Sequence, residues 1–295
     1  SLKERCDVVS RAVAYGITLF DTAPIYGAGH SERNLGETLE TLGAADVSIA
    51  TKIALEEDDL GDIRGAVSRS VDDSLKRLRR HRVAILHLHN RVGRQRAPRP
   101  NIGVGAQLRV EDVLGPVAEV MQSLKRGGVV DAIGCCSFGG EMDAVREVID
   151  AGAFDGVLVN YSALNPSALA GVPADVAPDY AKVGIAAAER GMGIVALRIL
   201  EGGALVDDAA IAQYRNPEVL ARFLLDTNLR RELQRAGISL KEAATRFALF
   251  DVHVSTALVG ISNADQLEEI ASFACHGSLP ASLVAALRAA LSVTP

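Results

Sequence analysis

Four residues in the first third of the chain have types that together can move a proton. Asp21, Lys52 and His89 each close a short apolar run: Ile17-Thr18-Leu19-Phe20, Ile49-Ala50-Thr51 and Ile85-Leu86-His87-Leu88. Tyr26 lies shortly beyond Asp21, before the small residues Gly27-Ala28-Gly29. A free tyrosine titrates near about 10, too high to trade protons readily around neutrality. A nearby ammonium favours the phenolate and is expected to lower that value. An aspartate beside the lysine would hold it charged and oriented, and a histidine would orient a carbonyl or share the proton. The set suits proton transfer to a developing alkoxide. It has no electrons to give, so hydride must come from a cofactor.

Each residue alone has a plainer reading. Asp21 could cap a turn, Lys52 could be a rim charge, and Tyr26 could merely pack. Their joint placement at the ends of successive runs is what carries the chemistry. His87 shares a strand face with His89, one layer deeper, and reads as an interior histidine. The pair His87 and His89 also raises a metal-dependent barrel hydrolase, since alternate strand positions can share a metal. Such a site needs ligands on later strand ends, and those are Ser137, Tyr161, Arg198 and Gly260. Reduction is therefore the preferred chemistry.

The elements that must position these groups alternate along the chain. Strands are expected near residues 18–21, 48–52, 83–89, 132–137, 156–161, 193–198 and 255–260. Helices are expected at 2–15, 31–42, 62–80, 110–126, 141–151, 180–190, 240–250, 264–273 and 281–291, with Ser31 as the N-cap of the second. A further helix at 217–235 falls inside a long loop, 200–238. Another long loop, 91–109, is basic and rich in Pro and Gly. Alternating strands and helices predict a parallel sheet with helices outside it, and an α/β barrel carries its chemistry where the strands end.

The stretch FDTAPIYGAGHSERNLGETL, from Phe20 to Leu39, resembles the signature of the aldo-keto reductases. The resemblance implies a (β/α)8 TIM-type barrel and assigns parts to the four residues. Tyr26 becomes the general acid, Lys52 its partner, Asp21 the partner of the lysine, and His89 the histidine of the following strand. It also implies NAD or NADP, bound without a Rossmann fold. Seven strands are visible, so the resemblance places the first strand and an N-terminal hairpin before Leu2, and the chain is expected to lack them. The whole of 1–295 reads as one barrel domain.

The same resemblance nominates cofactor contacts. Ser137 matches the family's carboxamide-binding serine, followed by Phe138 where the family has Asn. Asn160 stands in for a glutamine, whose own place is taken by Leu158. Arg198 occupies the region of an aromatic that stacks on nicotinamide. Gly260, Ser262, Asn263, Gln266 and Glu269 match the phosphate loop and its helix, whose N-terminal N–H groups can hold phosphate. No Lys or Arg lies between Gly260 and Glu269, which leans the expectation towards NAD. These departures also keep open a second class, a catalytically impaired barrel that binds a dinucleotide or a protein partner.

Composition bounds the rest. At 48% hydrophobic residues the chain can fill a sizeable core, and its net charge of −6 argues against a general nucleic-acid surface. No apolar run reaches the length of a membrane span and no signal peptide is visible, so no membrane partner and a cytoplasmic location are expected. The four cysteines lack metal-ligand spacing, and Cys135-Cys136 read as buried thiols. With only 4% aromatic residues and no Trp, a small carbonyl compound or sugar is the expected substrate, rather than one needing a large aromatic pocket.

Overall fold

The computed structural model describes residues 1–100, 104–205 and 214–292. Parts of both long loops, 91–109 and 200–238, therefore lie outside the described residues. The chain forms two compact units: Ser1–Leu158 with Glu189–Met192, and Val159–Ala188 with Gly193–Pro295.

The first unit alternates as expected: α1 (Leu2–Ala14), β1 (Leu19–Asp21), α2 (His30–Thr41), β2 (Ser48–Ile53), α3 (Ile63–Leu78) and β3 (Val83–Leu88). A two-stranded excursion follows, β4 (Val92–Gly93) and β5 (Leu108–Arg109). Then come α4 (Val110–Asp112), a π turn (Val113–Val117), α5 (Ala118–Arg126), β6 (Val130–Cys136), α6 (Met142–Asp150) and β7 (Gly156–Asn160), whose last two residues, Val159 and Asn160, are counted with the second unit. The main strands pair in parallel in the order β1-β2-β3-β6-β7. β2 is buried at every position after Ser48, the pattern of a parallel strand covered on both faces.

Register explains how the polar groups meet. Asp21 is the Cα partner of Ala50, and Lys52 is the Cα partner of His87. Side chains two apart on a strand share a face, and register partners of parallel strands point the same way. Asp21, Lys52, His87 and His89 therefore share one face of the sheet. The His89 N–H donates to the Ile53 carbonyl at 2.8 Å, carrying the ladder one step past β3.

Helices α2 and α3 lock against this sheet through a buried carboxylate. Glu32, with no exposed surface, accepts from the Thr51 hydroxyl at 2.6 Å and from Arg77 Nε at 2.6 Å. The close approach depends on Gly36, where an added Cβ would sit 2.6 Å from the carbonyl carbon and oxygen of Leu78. A backbone obstacle cannot swing aside as a side chain can. Gly36→Ala is therefore expected to destabilise by about 1–3 kcal/mol despite the better helix propensity of alanine, measured as a lowered urea midpoint. An unchanged or raised midpoint would show that the helices can separate freely.

Several expected boundaries are corrected. Helix α2 starts at His30 with Gly29 as N-cap, not at Ser31. Gly27, Ala28 and Gly29 all take positive φ, which swings the chain into the helix early. The Ser31 hydroxyl accepts from Thr22 Oγ1 at 2.8 Å instead of capping. The helix expected at 110–126 is interrupted at Gly115-Pro116, where Gly115 is non-helical and proline has no N–H to give. The basic loop is fastened by its own charges, with Arg96 forked onto Asp112 and Arg94 reaching Asp143 and Glu147, while the neutral Asn90 just before it bonds Leu55 and Ala106.

The second unit contains α7 (Val183–Glu189), β8 (Gly193–Leu197), α8 (Pro217–Leu225), α9 (Thr227–Ala236), α10 (Leu240–Leu249), β9 (Thr256–Ala257), α11 (Ala264–Cys275) and α12 (Ala281–Ala289). The final residue of α7 is counted with the first unit. β8 and β9 are parallel, and the Tyr161 N–H donates to the Leu197 carbonyl at 3.1 Å. The helix expected at 217–235 is two, because Asp226 leaves the helix to cap α9 through the Leu229 N–H. The last strand is shorter than the expected 255–260, so Gly260 lies beyond it, outside any regular element.

Candidate active site

In the first unit the structure brings Asp21, Tyr26, Lys52 and His89 together. Lys52 is 2% exposed, and its Nζ donates to Asp21 Oδ2 at 2.5 Å and to the Thr22 carbonyl at 2.8 Å. Asp21 thus matches the charge of an ammonium that would otherwise be costly to bury. The same Nζ lies 5.1 Å from the centroid of the Tyr26 ring, in cation–π range. Tyr26 meets His89 edge-on at 6.0 Å, and His89 meets Phe138 edge-on at 6.0 Å. The turn at Gly27-Ala28-Gly29 folds Tyr26 back over the strand ends while leaving it 40% exposed.

The electrostatics differ from expectation in one respect. The Tyr26 phenol is pushed up to about 12, first by burial and then by Asp21 and Cys136, rather than lowered by Lys52. Asp21 answers part of the lysine's charge, and burial outweighs the help that the remainder gives to a phenolate. Tyr26 is therefore a protonated phenol at neutral pH, a donor ready to give its proton. Burial raises the Asp21 carboxyl against the pull of Lys52. His87 and His89 are both lowered to about 3, by burial first and by Lys52 second. Both are neutral imidazoles, and each has a buried Nδ1 without a hydrogen-bond partner.

Two buried neutral histidines make stability depend on acid. In the unfolded chain each takes up a proton below about 6.5. In the folded chain neither does until about 3. Stability is thus fully present above about 6.5 and is lost as pH falls towards 3. Between pH 6.5 and 5.5 each histidine is expected to cost roughly 1 kcal/mol. Urea melts across that window should show the fall, and His87→Gln should remove about half of it. A flat profile in the wild-type protein would refute the assignment of both rings as buried and neutral.

Ser137 is also in this unit. It is fully buried, and both its N–H and its hydroxyl donate to the Leu158 carbonyl at 3.0 Å. The hydroxyl oxygen keeps its acceptor capacity, while its proton is committed to the backbone.

The other expected cofactor residues belong to the second unit and fall into two groups. Arg198, Gly260, Ser262 and Gln266 line one cleft of about 790 Å³, together with Lys241. Asn263 is the N-cap of α11 and Glu269 lies on that helix, but neither lines the cleft. Asn263 caps α11 by accepting from the Gln266 N–H at 2.9 Å, and Gln266 Oε1 accepts from the Ser262 N–H at 2.9 Å. Glu269 is ion-paired with Lys241. Asn160 is not in this group: it lines a different cleft and donates to the Tyr180 hydroxyl at 2.7 Å. Sequence reasoning missed Lys241, which approaches the loop from the start of α10. The pairing spans 28 positions, and Ser239 as N-cap, by placing Lys241 in the first turn, was the one local signal.

A nicotinamide dinucleotide fits the residues present. The larger cleft offers two cationic side chains, Arg198 and Lys241, beside a glycine-containing turn and a helix N-terminus. These are the groups that hold phosphate oxygens. A metal finds no comparable set: among the described residues no three His, Cys, Asp or Glu side chains are grouped to hold one. No described helix is long and apolar enough to cross a membrane.

Comparison with known proteins identifies the fold and the family. The chain superposes on aldo-keto reductase AKR11C1 from Bacillus halodurans, holo form, with a TM-score of 0.74 over 98% of this chain and 88% of that one, at 17% identity. It is 27% identical to L-galactose dehydrogenase of Arabidopsis thaliana over 269 residues, covering 88% of this chain and 75% of the relative. It is 33% identical to aldo-keto reductase YhdN of Bacillus subtilis over 152 residues, half of this chain and 41% of the relative. The model of the Aldo/keto reductase family matches residues 1–292. The chain therefore belongs to the Aldo/keto reductase family, carbonyl–alcohol oxidoreductases built on a (β/α)8-type barrel.

Proposed function

We propose that the protein interconverts a small carbonyl compound and its alcohol with NAD or NADP, using Tyr26 as general acid and base. The observation that carries the reading is the position of Lys52, 2.5 Å from Asp21 and 5.1 Å from the centre of the Tyr26 ring. A bound nicotinamide dinucleotide supplies or accepts the hydride. The chain's own residues manage the proton and the charge. The Tyr26 hydroxyl gives its proton to the carbonyl oxygen as negative charge develops there. The phenolate left behind gains from the Lys52 ammonium, which Asp21 and the Thr22 carbonyl hold in place. His89, neutral, has a nitrogen with which to hydrogen-bond and orient the carbonyl. In the reverse direction the phenolate takes the alcohol proton back.

Ser137, Asn160, Arg198, Gly260, Ser262, Asn263, Gln266 and Glu269 are proposed to contact the dinucleotide. Arg198, Gly260, Ser262 and Gln266 have the strongest support because they share one cleft. NAD is favoured over NADP. Glu269 answers the charge of Lys241, and the extra phosphate of NADP would have to compete with that carboxylate. Loss of NADH and NADPH absorbance with a reactive aldehyde tests both points. Faster loss with NADH at low cofactor concentration is expected, and preference for NADPH would reverse the cofactor assignment. No loss with either, from folded protein, would favour a barrel that binds a dinucleotide or a protein partner without turnover.

A further inference from the structure

The loop that carries Tyr26 is tied at both ends to neighbouring residues of β2. At its start the Thr22 N–H donates to the Ala50 carbonyl at 2.9 Å, and the Thr22 carbonyl accepts from Lys52 Nζ at 2.8 Å. At its end Glu32 accepts from the Thr51 hydroxyl at 2.6 Å. Thr51 and Lys52 are adjacent on the strand, so their side chains leave it on opposite faces. The chain between the two anchors therefore passes from one side of the sheet to the other, with Tyr26 on the way.

One side-chain bond joins the two ends directly. The Thr22 hydroxyl donates to the Ser31 hydroxyl at 2.8 Å, across nine positions of sequence. Thr22 is 1% exposed, which shields that bond from competing water. The Ser31 N–H in turn donates to the Tyr26 carbonyl at 3.2 Å. Ser31 thus holds Thr22 with its side chain and Tyr26 with its backbone. A chain of contacts runs from Lys52 Nζ through Thr22 and Ser31 to the Tyr26 backbone, and the Tyr26 ring closes it over the same ammonium.

The loop needs such a fastening. Ala28 takes φ of 51° between two glycines of positive φ, a conformation that persists only where its surroundings fix it. The half-exposed Tyr26 ring is held by an edge contact with His89 and by Lys52 under its face. Contacts of that kind let a ring slide, whereas a general acid must sit within hydrogen-bond reach of the reacting oxygen. A misplacement of about 1 Å can cost about 10²-fold in rate. We propose that the Thr22 and Ser31 hydroxyls form a clasp that positions Tyr26 for proton transfer. Both are positioning residues, acting through Tyr26 and not on the substrate. The clasp rests on the reading of Tyr26 as proton donor.

Steady-state rates with a reactive aldehyde, and with whichever of NADH and NADPH the wild type consumes, test the clasp. Ser31→Ala and Thr22→Val should each lower kcat roughly ten- to a hundredfold while the dinucleotide KM holds. Ser31→Thr, which keeps the hydroxyl, should turn over close to the wild-type rate. In a Tyr26→Phe background Ser31→Ala should cost nothing more, because the hydroxyl it positions is gone. Hydrogen exchange gives a readout without turnover: in Ser31→Ala the amides of residues 23–31 should exchange faster and those of α3 as before. If Thr22→Val does not fold, Ser31→Ala, at a half-buried site, carries the test. Unchanged kcat or unchanged exchange in Ser31→Ala, or an equal fall in rate with and without the Tyr26 hydroxyl, would overturn the clasp while Tyr26, still needed for turnover, kept its role. A dinucleotide KM that rises as kcat falls would overturn it in favour of a general support of the fold. Full turnover by Tyr26→Phe would remove the donor itself, and the clasp with it.

Discussion

Tyr26→Phe is expected to lower kcat by about 10²–10⁴, the usual contribution of a positioned general acid. The substitution removes one oxygen and leaves the ring that packs edge-on against His89. The side chain is 40% exposed, so the loss of its hydroxyl should change stability by less than about 0.5 kcal/mol. Dinucleotide affinity should hold, since the residues proposed to grip the phosphates belong to the other unit and do not include Tyr26. The pH profile adds a second readout. With the phenol pushed up to about 12, the acid form persists through neutrality, so reduction should not fall on a limb near 10. An enzyme that keeps its rate within about tenfold after this change has another proton donor, and the assignment of Tyr26 then fails.

The strand and helix order was legible because each element carries its own period and punctuation. Asp21, Lys52 and His89 were legible because they close apolar runs, where the strands of a parallel sheet end, and Tyr26 because it follows Asp21 in the adjoining loop. Register then did what no local pattern announces: pairing Lys52 with His87 set the lysine on the face shared by Asp21 and His89. The start of α2 was misplaced because three consecutive positive φ values at Gly27, Ala28 and Gly29 outweighed the capping preference of Ser31. The break at Gly115-Pro116 was visible as a dipeptide, yet the apolar periodicity on both sides read as one helix. The direction of the Tyr26 shift could not be read from the chain. It depends on burial and on how fully Asp21 answers Lys52, and both are tertiary facts. Lys241 escaped for a similar reason. Its partner, Glu269, lies on another helix, and no spacing rule joins them.

Lys52→Met is expected to cost about 3–5 kcal/mol of stability as well as turnover, because it leaves the Asp21 carboxylate buried without its counter-charge. The wild-type pair is enclosed, with the lysine side chain 2% exposed and the aspartate 15%. Asp21 Oδ1 already lacks a hydrogen-bond partner, so Oδ2 would have none to replace the one it loses. The Thr22 carbonyl would also lose its donor. Two further measurements separate a charge effect from a packing effect. Asp21→Leu combined with Lys52→Met should recover most of the lost stability, since an apolar pair of similar volume can replace a buried ion pair, but it should not recover activity. Acid should also narrow the gap between Lys52→Met and the wild type. Without Lys52 the folded Asp21 carboxyl is raised further above its unfolded value of about 3.9. Its penalty is then full at neutral pH and is relieved as pH falls towards that unfolded value. A deficit that stays constant with pH, or a double variant no more stable than the single, would mean that Lys52 supports the fold by packing alone. The reading of Asp21 as its electrostatic partner would then be lost.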